Sequence, residues 1–538
     1  MRGEGIPSPI PPSPASDAVP ILTTSRYDFI VSGSNYSTAG APSPGFVEAV
    51  SKLEGGRVLL IGDLMLDETV QGAAERLSPD APVPVLAVDG EAGFDRRPGG
   101  AGNVAACLRG PKCEVSVVGL IGDDDAGGHL TAVLDSMECD TEGLVRDAGR
   151  PTTLKRSLVG LAQHRHPQKM FRMDVETREP ASAPVIEALM GAVRDRLGDV
   201  DVVCLEDYAK GACPPELCRR LVQVCREAGI PLLVDPASIT SYERYAGATL
   251  ITPNRSEAEL ASGRRGGLQT DLADAAEIAE GMRVSHRLDS VVITLDRDGA
   301  MLANESGCVH LPTEARAVYD VTGAGDMVLA ALAAARCRGF GGVEAVRLAN
   351  LAAGIEVELS GAQPVPLSDL RRAALRACGE GRGKVRSLEH LLLELEVHRR
   401  DGRRIVLTNG CFDVIHAGHV AYLKEARSQG ELLVVGINSD ASVKALEKGE
   451  ERPIFKEQER LEVLEELQSI DYLVVFGEST AENLIEAIRP DIYVKGGDYR
   501  PESITEHGLL QSLGIDVRVL AHRPGLGSTA ILDRLRTD

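Results

Sequence analysis

Two histidines separated by two residues, His416 and His419, end a stretch that begins at Thr408. The mostly apolar residues 404–407 before it predict a short buried strand, and the spacing of residues 420–426 after it predicts a helix. The histidines would then lie near a helix N-terminus, where free N–H groups and the helix dipole favour phosphate. Imidazoles at that place can stabilise charge that develops on a phosphoryl group. Taken alone, the pair is equally typical of surface or metal-binding histidines.

A second stretch, residues 320–326, places three small residues and an aspartate at the start of another predicted helix. The N–H groups of Gly323, Ala324 and Gly325 would form an anion hole for a transferring phosphoryl group. Asp326 would accept the proton of an attacking hydroxyl. A glycine-rich cap with an aspartate in the first helical turn is the structural alternative.

Five polar or small residues near the first predicted strand are candidates for binding a polyol. Asp63 and Asp67 follow the strand at its carboxyl end, where open α/β sheets bind ligands, although a turn or cap role fits them equally well. Gly99 and Gly100 precede a predicted helix and would let a ligand approach the backbone. Asn103 can both donate to and accept from a sugar hydroxyl.

These residues need a scaffold of parallel strands. Between residues 115 and 300 the sequence alternates strand-like and amphipathic helical segments, which predicts a mainly parallel sheet covered on both faces. The strand-like segments are residues 115–120, 202–206, 231–235, 249–252 and 291–295. Residues 151–175 have a hairpin pattern instead, and with residues 68–90 they are expected to form a lid over the substrate.

The composition excludes several classes of function. The chain has 538 residues and a net charge of -22, so a general nucleic-acid or anionic-membrane surface is not expected. No apolar run approaches the ~20 residues that span a bilayer. Eleven cysteines without a zinc-like spacing or a secretory segment indicate reduced thiols in the cytoplasm.

The predicted domain organisation has four parts. Residues 1–50 are rich in Pro, Ser and Gly and are expected to be a disordered tail. Residues 51–375 are expected to form the first catalytic domain, residues 376–402 a helical linker, and residues 403–538 the second catalytic domain.

The first half resembles the ribokinase-like sugar kinases, whose two signatures are matched by residues 98–103 and 320–326. The resemblance implies that Asp326 is the catalytic base. It also implies an ATP-binding segment and a contact near the nucleotide base, with Mg²⁺ carried by ATP near Glu257 rather than in a dedicated protein cage. The ATP-binding residues implied are Asn254, Arg255, Ser256, Glu257 and Asn350. Without the family, Asn254 and Glu257 are also typical of a helix cap.

Within these kinases, residues 78–85, 205–211 and 242–249 resemble the heptose 7-phosphate kinases. Two positions depart from that pattern. Residues 235–238 are Asp-Pro-Ala-Ser where Asp-Pro-Lys-Gly is usual, and Met327 stands where Thr usually follows the base. Neither change removes a group that phosphoryl transfer needs.

The second half resembles the HxGH nucleotidyltransferases, which include cytidylyltransferases and sugar-phosphate adenylyltransferases. The resemblance implies that His416 and His419 are catalytic. It also implies a set of nucleotide-binding residues, and residues 526–527 depart from the family in being Leu-Gly where Cys-Ser is frequent. The implied set is Thr408, Asn409, Gly410, Phe412, Asp413, Lys444, Lys495, Gly496, Gly497, Asp498, Ser528 and Thr529.

Both motif sets on one chain resemble the bifunctional heptose enzymes of lipopolysaccharide precursor synthesis. The resemblance implies an α/β architecture: a ribokinase-like three-layer domain with a small β lid, then a Rossmann-like nucleotidyltransferase domain. It implies ATP-dependent phosphorylation of heptose 7-phosphate at C1, and adenylyl transfer from ATP to heptose 1-phosphate. The expected partners are these sugar phosphates, ATP and Mg²⁺, with no nucleic acid or membrane, and a homodimer in the cytoplasm.

Two alternatives remain open at this point. The kinase signatures do not fix the stereochemistry of the sugar, so the substrate could be another sugar or polyol phosphate, with CTP as the nucleotide. The chain could also bind a sugar nucleotide through an inactive kinase half, although Asp326, His416 and His419 are all present.

Overall fold

The computed structural model describes residues 36–40, 42–161, 167–264, 272–313, 323–358, 364–378, 383–445, 452–497 and 503–520. The elements up to residue 377 are, in chain order, β1 (Tyr36–Thr38), α1 (Pro44–Ser51), β2 (Arg57–Gly62), β3 (Leu64–Leu77), β4 (Pro84–Val88), β5 (Phe94–Gly100), α2 (Ala101–Arg109), β6 (Glu114–Gly122), α3 (Asp125–Ser136), β7 (Asp140–Asp147), β8 (Thr153–Leu161), β9 (Gln168–Val175), α4 (Ala183–Leu197), β10 (Val202–Glu206), α5 (Pro215–Ala228), β11 (Leu232–Asp235), β12 (Leu250–Ile251), α6 (Arg255–Ser262), α7 (Leu272–Ser285), β13 (Ser290–Thr294), β14 (Ala300–Asn304), β15 (Gly307–Leu311), α8 (Ala324–Cys337), α9 (Gly342–Glu356) and α10 (Leu367–Ala377). The later elements are β16 (Val385–Arg386), α11 (Leu388–Arg400), β17 (Ile405–Gly410), α12 (Ala417–Arg427), β18 (Leu432–Asn438), α13 (Asp440–Ala445), α14 (Glu457–Glu465), β19 (Tyr472–Phe476), α15 (Glu482–Ile488), β20 (Ile492–Gly496), α16 (His507–Ser512) and β21 (Asp516–Leu520).

A ten-stranded sheet forms the centre of the first half, in the order β1-β15-β14-β13-β12-β11-β10-β2-β6-β7. Only β14 runs antiparallel to its neighbours in this sheet. Its central strands are runs of Val, Leu and Ile because both faces of a parallel sheet are buried. Helices α2, α8, α9 and α10 cover one face, and α4, α5 and α7 cover the other. The predicted three-layer kinase fold is confirmed.

A smaller sheet of five strands stands apart from the central one. Strand β3 is antiparallel to β4 and β5 and parallel to β8. Strand β9 pairs with β8 and completes the sheet. The hairpin predicted within residues 151–175 is β8 and β9, so the sheet matches the expected β lid.

The second half contains a six-stranded parallel sheet in the order β16-β19-β18-β17-β20-β21. Helices α11, α15 and α16 pack on one face, and α12 and α14 pack on the other. This is the predicted Rossmann-like arrangement. It brings the carboxyl ends of β17, β18 and β20 to one edge, where the candidate nucleotide-binding residues lie.

The structure corrects two predicted boundaries. Part of the expected disordered tail is ordered, because β1 pairs with β15 and α1 buries Phe46 and Val50 in the kinase core. Much of the expected linker belongs to the second half: β16 extends the six-stranded sheet, and Leu391 and Leu395 of α11 lie in its core. Residues 1–35 lie outside the described residues.

None of the helices in the described ranges is long and apolar enough to cross a membrane.

Candidate active sites

The predicted base of the kinase half, Asp326, lies in the first turn of α8 and is only 4% exposed. Its Oδ2 accepts a hydrogen bond from Asn103 Nδ2 at 2.7 Å, and its Oδ1 accepts one from the Tyr208 hydroxyl at 2.8 Å. Burial raises the pKa of Asp326 to about 6, while these two hydrogen bonds and the charge of Lys155 act against the rise. A carboxylate whose pKa lies near neutrality is suited to take a proton from a hydroxyl.

Asp63 holds the loop that carries Tyr208. Its carboxylate accepts the backbone N–H groups of Tyr208 at 2.8 Å, Lys210 at 3.0 Å and Ala212 at 3.0 Å. The side chain is 2% exposed, and these three amides occupy both of its oxygens. Asp63 therefore fixes the backbone of the tyrosine that contacts Asp326, and its contact with sugar hydroxyls stays a prediction.

Helix α8 begins at the residues 323–325 that are predicted to form an anion hole, and anion binding there stays a prediction. Gly323 caps the helix with a φ of 96°, a left-handed conformation that favours glycine. A Cβ on Gly325 would lie 3.4 Å from Asp235 Oδ2. The first N–H groups of α8, which include that of Ala324, thus lie close to the carboxylate of Asp235. Residues 320–322 lie outside the described residues.

Three residues of the lid lie near Asp326: Asp67 and Gly99, which contact each other, and Lys155, which lies beside Tyr208. A Cβ on Gly99 would lie 2.5 Å from Asp67 Oδ2, so only glycine fits there, and Gly100 has a φ of 58°. Burial raises the pKa of Asp67, and Lys155 opposes the rise. The Nζ of Lys155 lies 5.7 Å from the centre of the Tyr208 ring. Asp67 and Asn103 thus remain candidates for contact with a substrate.

In the second half, His416 and His419 come together at the N-terminus of α12. Their ring centroids are 4.1 Å apart. The Phe412 ring packs on His419 with 5.5 Å between the ring centroids, and the backbone of Phe412 has a left-handed φ of 47°. His416 caps the helix, because its Nδ1 accepts the N–H of Gly418 at 3.1 Å. In the neutral imidazole this bond leaves the proton on Nε2, which can donate to a ligand.

Asn409 and Lys495 meet at the ends of the adjacent strands β17 and β20. The Nζ of Lys495 donates to Asn409 Oδ1 at 2.9 Å, and the Tyr493 hydroxyl donates to the same oxygen at 2.6 Å. Glu506 lies 3.8 Å from the same ammonium. The lysine is therefore held at the sheet edge by a small polar network.

Comparison with known proteins identifies both halves. Residues 58–369 match the pfkB family of carbohydrate kinases, and residues 407–531 match the cytidylyltransferase-like family. The bifunctional protein HldE of Pelobacter propionicus is 43% identical over 479 residues, which cover 89% of this chain and 95% of that protein. The HldE proteins of Geobacter metallireducens and Halorhodospira halophila are each 41% identical, and they cover 89% and 92% of this chain and 95% and 99% of their own lengths.

The chain belongs to the HldE family. It therefore combines a carbohydrate kinase and a nucleotidyltransferase in one polypeptide, as predicted from the two sets of motifs. The kinase match lies within predicted residues 51–375 and the second match within residues 403–538, although neither match fixes a domain boundary.

The HldE-family kinase site contains a carboxylate centre that the sequence did not indicate. Oxygens of Glu206, Asp235 and Asp326 all lie within 4.8 Å of one another. Burial raises the pKa of Glu206 and of Asp235 well above the usual value, and the charges of their carboxylate neighbours add to the effect. Glu206 Oε2 has no hydrogen-bond partner among the described residues. In the sequence, this centre is visible only as an acidic residue at the end of each of two strands, Glu206 in β10 and Asp235 in β11. The sheet order is needed to show that these two strands are neighbours.

The predicted ATP-binding segment forms a helix cap. Asn254 Oδ1 accepts the N–H of Glu257 at 3.0 Å, Glu257 Oε2 accepts the N–H of Asn254 at 2.9 Å, and the Ser256 hydroxyl donates to Asn254 at 3.0 Å. The Arg255 guanidinium pairs with two aspartates of the loop after β13. Asn350 Nδ2 donates to the carbonyl of Leu311 at 3.0 Å. The capping alternative is thus correct, and an ATP contact of these residues stays a prediction.

Two predicted nucleotide contacts support the second site instead. Thr408 is fully buried, and its hydroxyl shares a hydrogen bond with Tyr422 at 2.6 Å. Asp413 is 4% exposed and accepts the N–H groups of Ile454 at 2.7 Å and Phe455 at 3.1 Å. The side chains of these two residues therefore hold the loops around the histidines, and a contact of these residues with ATP stays a prediction.

The remaining predicted residues line the same edge of the second sheet. A Cβ on Gly410 would lie 3.1 Å from the Phe412 ring, a tight contact, and one on Gly496 would lie 2.9 Å from the Tyr422 ring, so a side chain at Gly496 would displace that ring. Gly497 follows directly with a φ of 141°, and Lys444 is exposed in the last turn of α13. Three predicted contacts, Asp498, Ser528 and Thr529, lie outside the described residues.

Arg460 is a supporting residue that sequence reasoning missed. It is 1% exposed and donates to the carbonyls of Cys411 at 2.6 Å and Asn438 at 2.8 Å, and to Asp440 at 2.7 Å. These bonds fix the loop that leads to the histidines against the end of β18. An arginine in a charged helical segment ordinarily predicts a solvated face, so this supporting role was not predictable from the sequence.

Proposed function

We propose that the kinase half transfers the γ-phosphoryl group of ATP to the C1 hydroxyl of D-glycero-β-D-manno-heptose 7-phosphate. We propose that the second half transfers the adenylyl group of ATP to heptose 1-phosphate, which gives ADP-heptose and pyrophosphate. Membership of the HldE family and the two separate sites support this assignment. The observation that carries it is the pairing of a buried, hydrogen-bonded Asp326 with a histidine pair on one chain.

In the first reaction Asp326 takes the proton of the C1 hydroxyl as that oxygen attacks the γ-phosphorus. The bond between the γ-phosphorus and the bridging oxygen breaks, and ADP leaves. Asn103 and Tyr208 fix the carboxylate so that a lone pair faces the sugar. The N–H groups at the start of α8 stabilise the charge on the transferred group. The product is heptose 1,7-bisphosphate.

Magnesium fits the kinase site. Oxygen ligands and excess negative charge are what Mg²⁺ prefers, and the site offers closely spaced carboxylates with one buried oxygen that lacks a partner among the described residues. Asp235 and Glu257 would hold the ion together with the phosphates of ATP. When bound, it would neutralise charge on the β- and γ-phosphates.

In the second reaction an oxygen of the sugar 1-phosphate attacks the α-phosphorus of ATP, and the bond to the β-phosphate breaks. His416 and His419 stabilise the negative charge that develops at the α-phosphorus. Lys444 and Lys495 offset the charge of the phosphates. The attacking phosphate is already anionic, so this step needs no protein base and no covalent intermediate.

The two reactions require a third activity between them. The kinase product carries phosphates on C1 and C7, whereas the second reaction needs a sugar with the C1 phosphate alone. A separate phosphatase must therefore remove the C7 phosphate.

A phosphorus NMR time course tests the whole assignment. The purified protein is given Mg-ATP and heptose 7-phosphate, and a bisphosphate phosphatase is added midway. We expect a bisphosphate signal first, followed by ADP-heptose and pyrophosphate only after the phosphatase. Unchanged heptose 7-phosphate, beside turnover of another sugar phosphate or of CTP, would contradict the assignment.

We also propose that two copies of the chain pair through the outer face of the lid. Three apolar side chains of β9 are exposed there on one face of the strand: Phe171 by 64%, Met173 by 40% and Val175 by 38%. Exposed apolar patches of this kind mark protein interfaces. Sedimentation equilibrium should give a dimer for the wild type and a monomer for Phe171→Asp, and a monomeric wild type would contradict the proposal.

We further propose that the protein works in the cytoplasm. All eleven cysteines are free thiols, as expected in a reducing compartment, and ATP is the substrate of both reactions. Fractionation of cells should recover both activities with cytoplasmic markers, and recovery with periplasmic markers would contradict this.

A further inference from the structure

Two neighbouring strands of the central sheet end in carboxylates close to Asp326. Glu206 and Asp235 are register partners at the ends of β10 and β11, so their side chains point to the same face of the sheet. Helix α8 packs against both strands and brings Asp326 to them, and oxygens of the three side chains lie within 4.8 Å of one another. Two oxygens that bind one divalent cation at ~2.1–2.4 Å lie at most ~4.2–4.8 Å apart, so a single ion can bridge this set.

Glu206 gives a separate indication that this set binds a ligand. Its side chain is 2% exposed, and its Oε2 has no hydrogen-bond partner among the described residues. A buried carboxylate is stable only when it is paired, hydrogen-bonded or coordinated to a metal. In the proposed mechanism Asp235 and Glu257 hold the ion that ATP carries, and Glu206 takes no part in that set. Its oxygen can therefore serve a second ion.

The charges around Glu206 and Asp235 are acidic. Burial raises the pKa of Glu206, and the carboxylates of Asp235 and Asp326 add to the rise. Burial also raises the pKa of Asp235, and the charges of Glu257 and Asp326 act in the same direction. Residue 237, where lysine is usual in the kinases that this chain resembles, is a buried alanine and brings no charge. A divalent cation would supply the positive charge that these side chains lack.

The phosphates of ATP strengthen this requirement. A Cβ on Gly325 would lie 3.4 Å from Asp235 Oδ2, so a phosphoryl group at the start of α8 would lie near that carboxylate. Like charges at such a distance repel each other unless one of them is offset. Asp326 can face an ion and still act as the base. Each of its oxygens accepts one hydrogen bond, from Asn103 or Tyr208, and keeps a further lone pair.

We propose that Glu206, Asp235 and Asp326 bind a divalent cation of their own, before ATP arrives and separately from the ion that ATP carries. Mg²⁺ and Mn²⁺ fit this site, because all three ligands are carboxylate oxygens. When bound, the ion offsets the charge of the carboxylates, so that the phosphates of ATP can approach the start of α8. The inference goes beyond the proposed function, because the site does not depend on which sugar is phosphorylated.

The test is a titration of the protein with Mn²⁺ in the absence of ATP and sugar, in which electron paramagnetic resonance measures the free ion. We expect the wild type to bind one Mn²⁺ at this site. Glu206→Gln keeps the shape of the side chain and removes its charge, so it should weaken this binding by about tenfold or more. Circular dichroism checks that the variant is folded.

Glu257→Gln is the matched control. Its side-chain oxygen can still accept the N–H of Asn254, so the cap of α6 is kept. Glu257 belongs to the ion that ATP carries, and this variant should therefore bind Mn²⁺ with nearly wild-type affinity when no nucleotide is present.

Thermal unfolding gives a second readout. A ligand that binds only the folded state stabilises it, so saturating Mn²⁺ should raise the unfolding temperature of the wild type and of Glu257→Gln. The same concentration should raise that of Glu206→Gln much less.

Three results would overturn the proposal. They are no Mn²⁺ bound to the nucleotide-free wild type, equal binding by the wild type and Glu206→Gln, and an equal loss in Glu206→Gln and Glu257→Gln. The last result would assign the ion to the set that holds ATP. A failure of the proposed function is a separate result, because it appears as unchanged heptose 7-phosphate in the NMR time course, whereas the Mn²⁺ titration contains no sugar.

Discussion

The two proposed active sites of this chain would handle phosphate by different chemistry. The kinase site buries a carboxylate among other carboxylates and holds it with two hydrogen bonds. The nucleotidyltransferase site instead places two imidazoles at a helix N-terminus. The difference follows from the acceptors. A sugar hydroxyl must lose a proton to attack phosphorus, whereas a sugar phosphate attacks as an anion and needs only charge stabilisation.

The largest expected effect comes from removing the kinase base. Asp326→Asn keeps the shape and the Asn103 contact but cannot accept the proton, so bisphosphate formation should fall by about 10³-fold or more. Adenylyl transfer from supplied heptose 1-phosphate should stay at the wild-type rate. Loss of both reactions in a folded variant would contradict the separation of the sites.

The reciprocal change is His419→Ala. Loss of an imidazole that stabilises the transition state should lower adenylyl transfer by about 10²-fold to 10³-fold, as removal of one oxyanion donor does. Coupled assays of ADP release from heptose 7-phosphate should show an unchanged kinase. A comparable fall in the kinase rate would show that the two sites depend on each other.

Tyr208→Phe tests how the kinase base is tuned. The Tyr208 hydrogen bond lowers the pKa of Asp326 against the effect of burial, so its removal raises that pKa above about 6. Since the base works when ionised, the acid limb of kcat/KM should move to higher pH. For a rise of about one unit, the loss approaches tenfold well below pH 6 and shrinks as the pH rises. A uniform loss at every pH would indicate a structural role only.

Tyr493→Phe is the matched change in the other site and should have the smallest effect. The Tyr493 hydroxyl orients Asn409 and Lys495. These residues are proposed to bind the phosphates of ATP and take no part in proton transfer. The change removes one hydrogen bond to Asn409 and one from Lys495, whose ammonium keeps its own bond to Asn409. The net loss of about 1 kcal/mol should raise the KM for ATP in adenylyl transfer by about fivefold. Its pH profile should keep the wild-type shape, and a shifted profile would contradict the contrast with Tyr208.

The sequence predicted those parts of the molecule that local chemistry determines. Glycines before Asp326 and the spacing of His416 and His419 require helix N-termini, and the structure has them. The parallel strands were equally predictable, because runs of Val, Leu and Ile that are buried on both faces leave a continuous apolar signal.

The features that the sequence did not indicate depend on contacts between distant segments. A carboxylate at a strand end can face a ligand or the backbone, and Asp63 faces three amides of a loop that comes about 145 residues later in the chain. Tyr208 carried no signal of its contact with Asp326 for the same reason. Strands β1 and β16 are only three and two residues long, so their pairing with the two sheets left no periodicity in the sequence.

The claim that the chain carries two independent sites is tested most directly by mixing two inactive variants. Asp326→Asn and His419→Ala are each given ATP, Mg²⁺, heptose 7-phosphate and the phosphatase, alone and together, and ADP-heptose is measured by phosphorus NMR. We predict little product from either variant alone and near wild-type formation from the mixture, because the intermediate made by one protein serves the other. No product from the mixture would contradict the account.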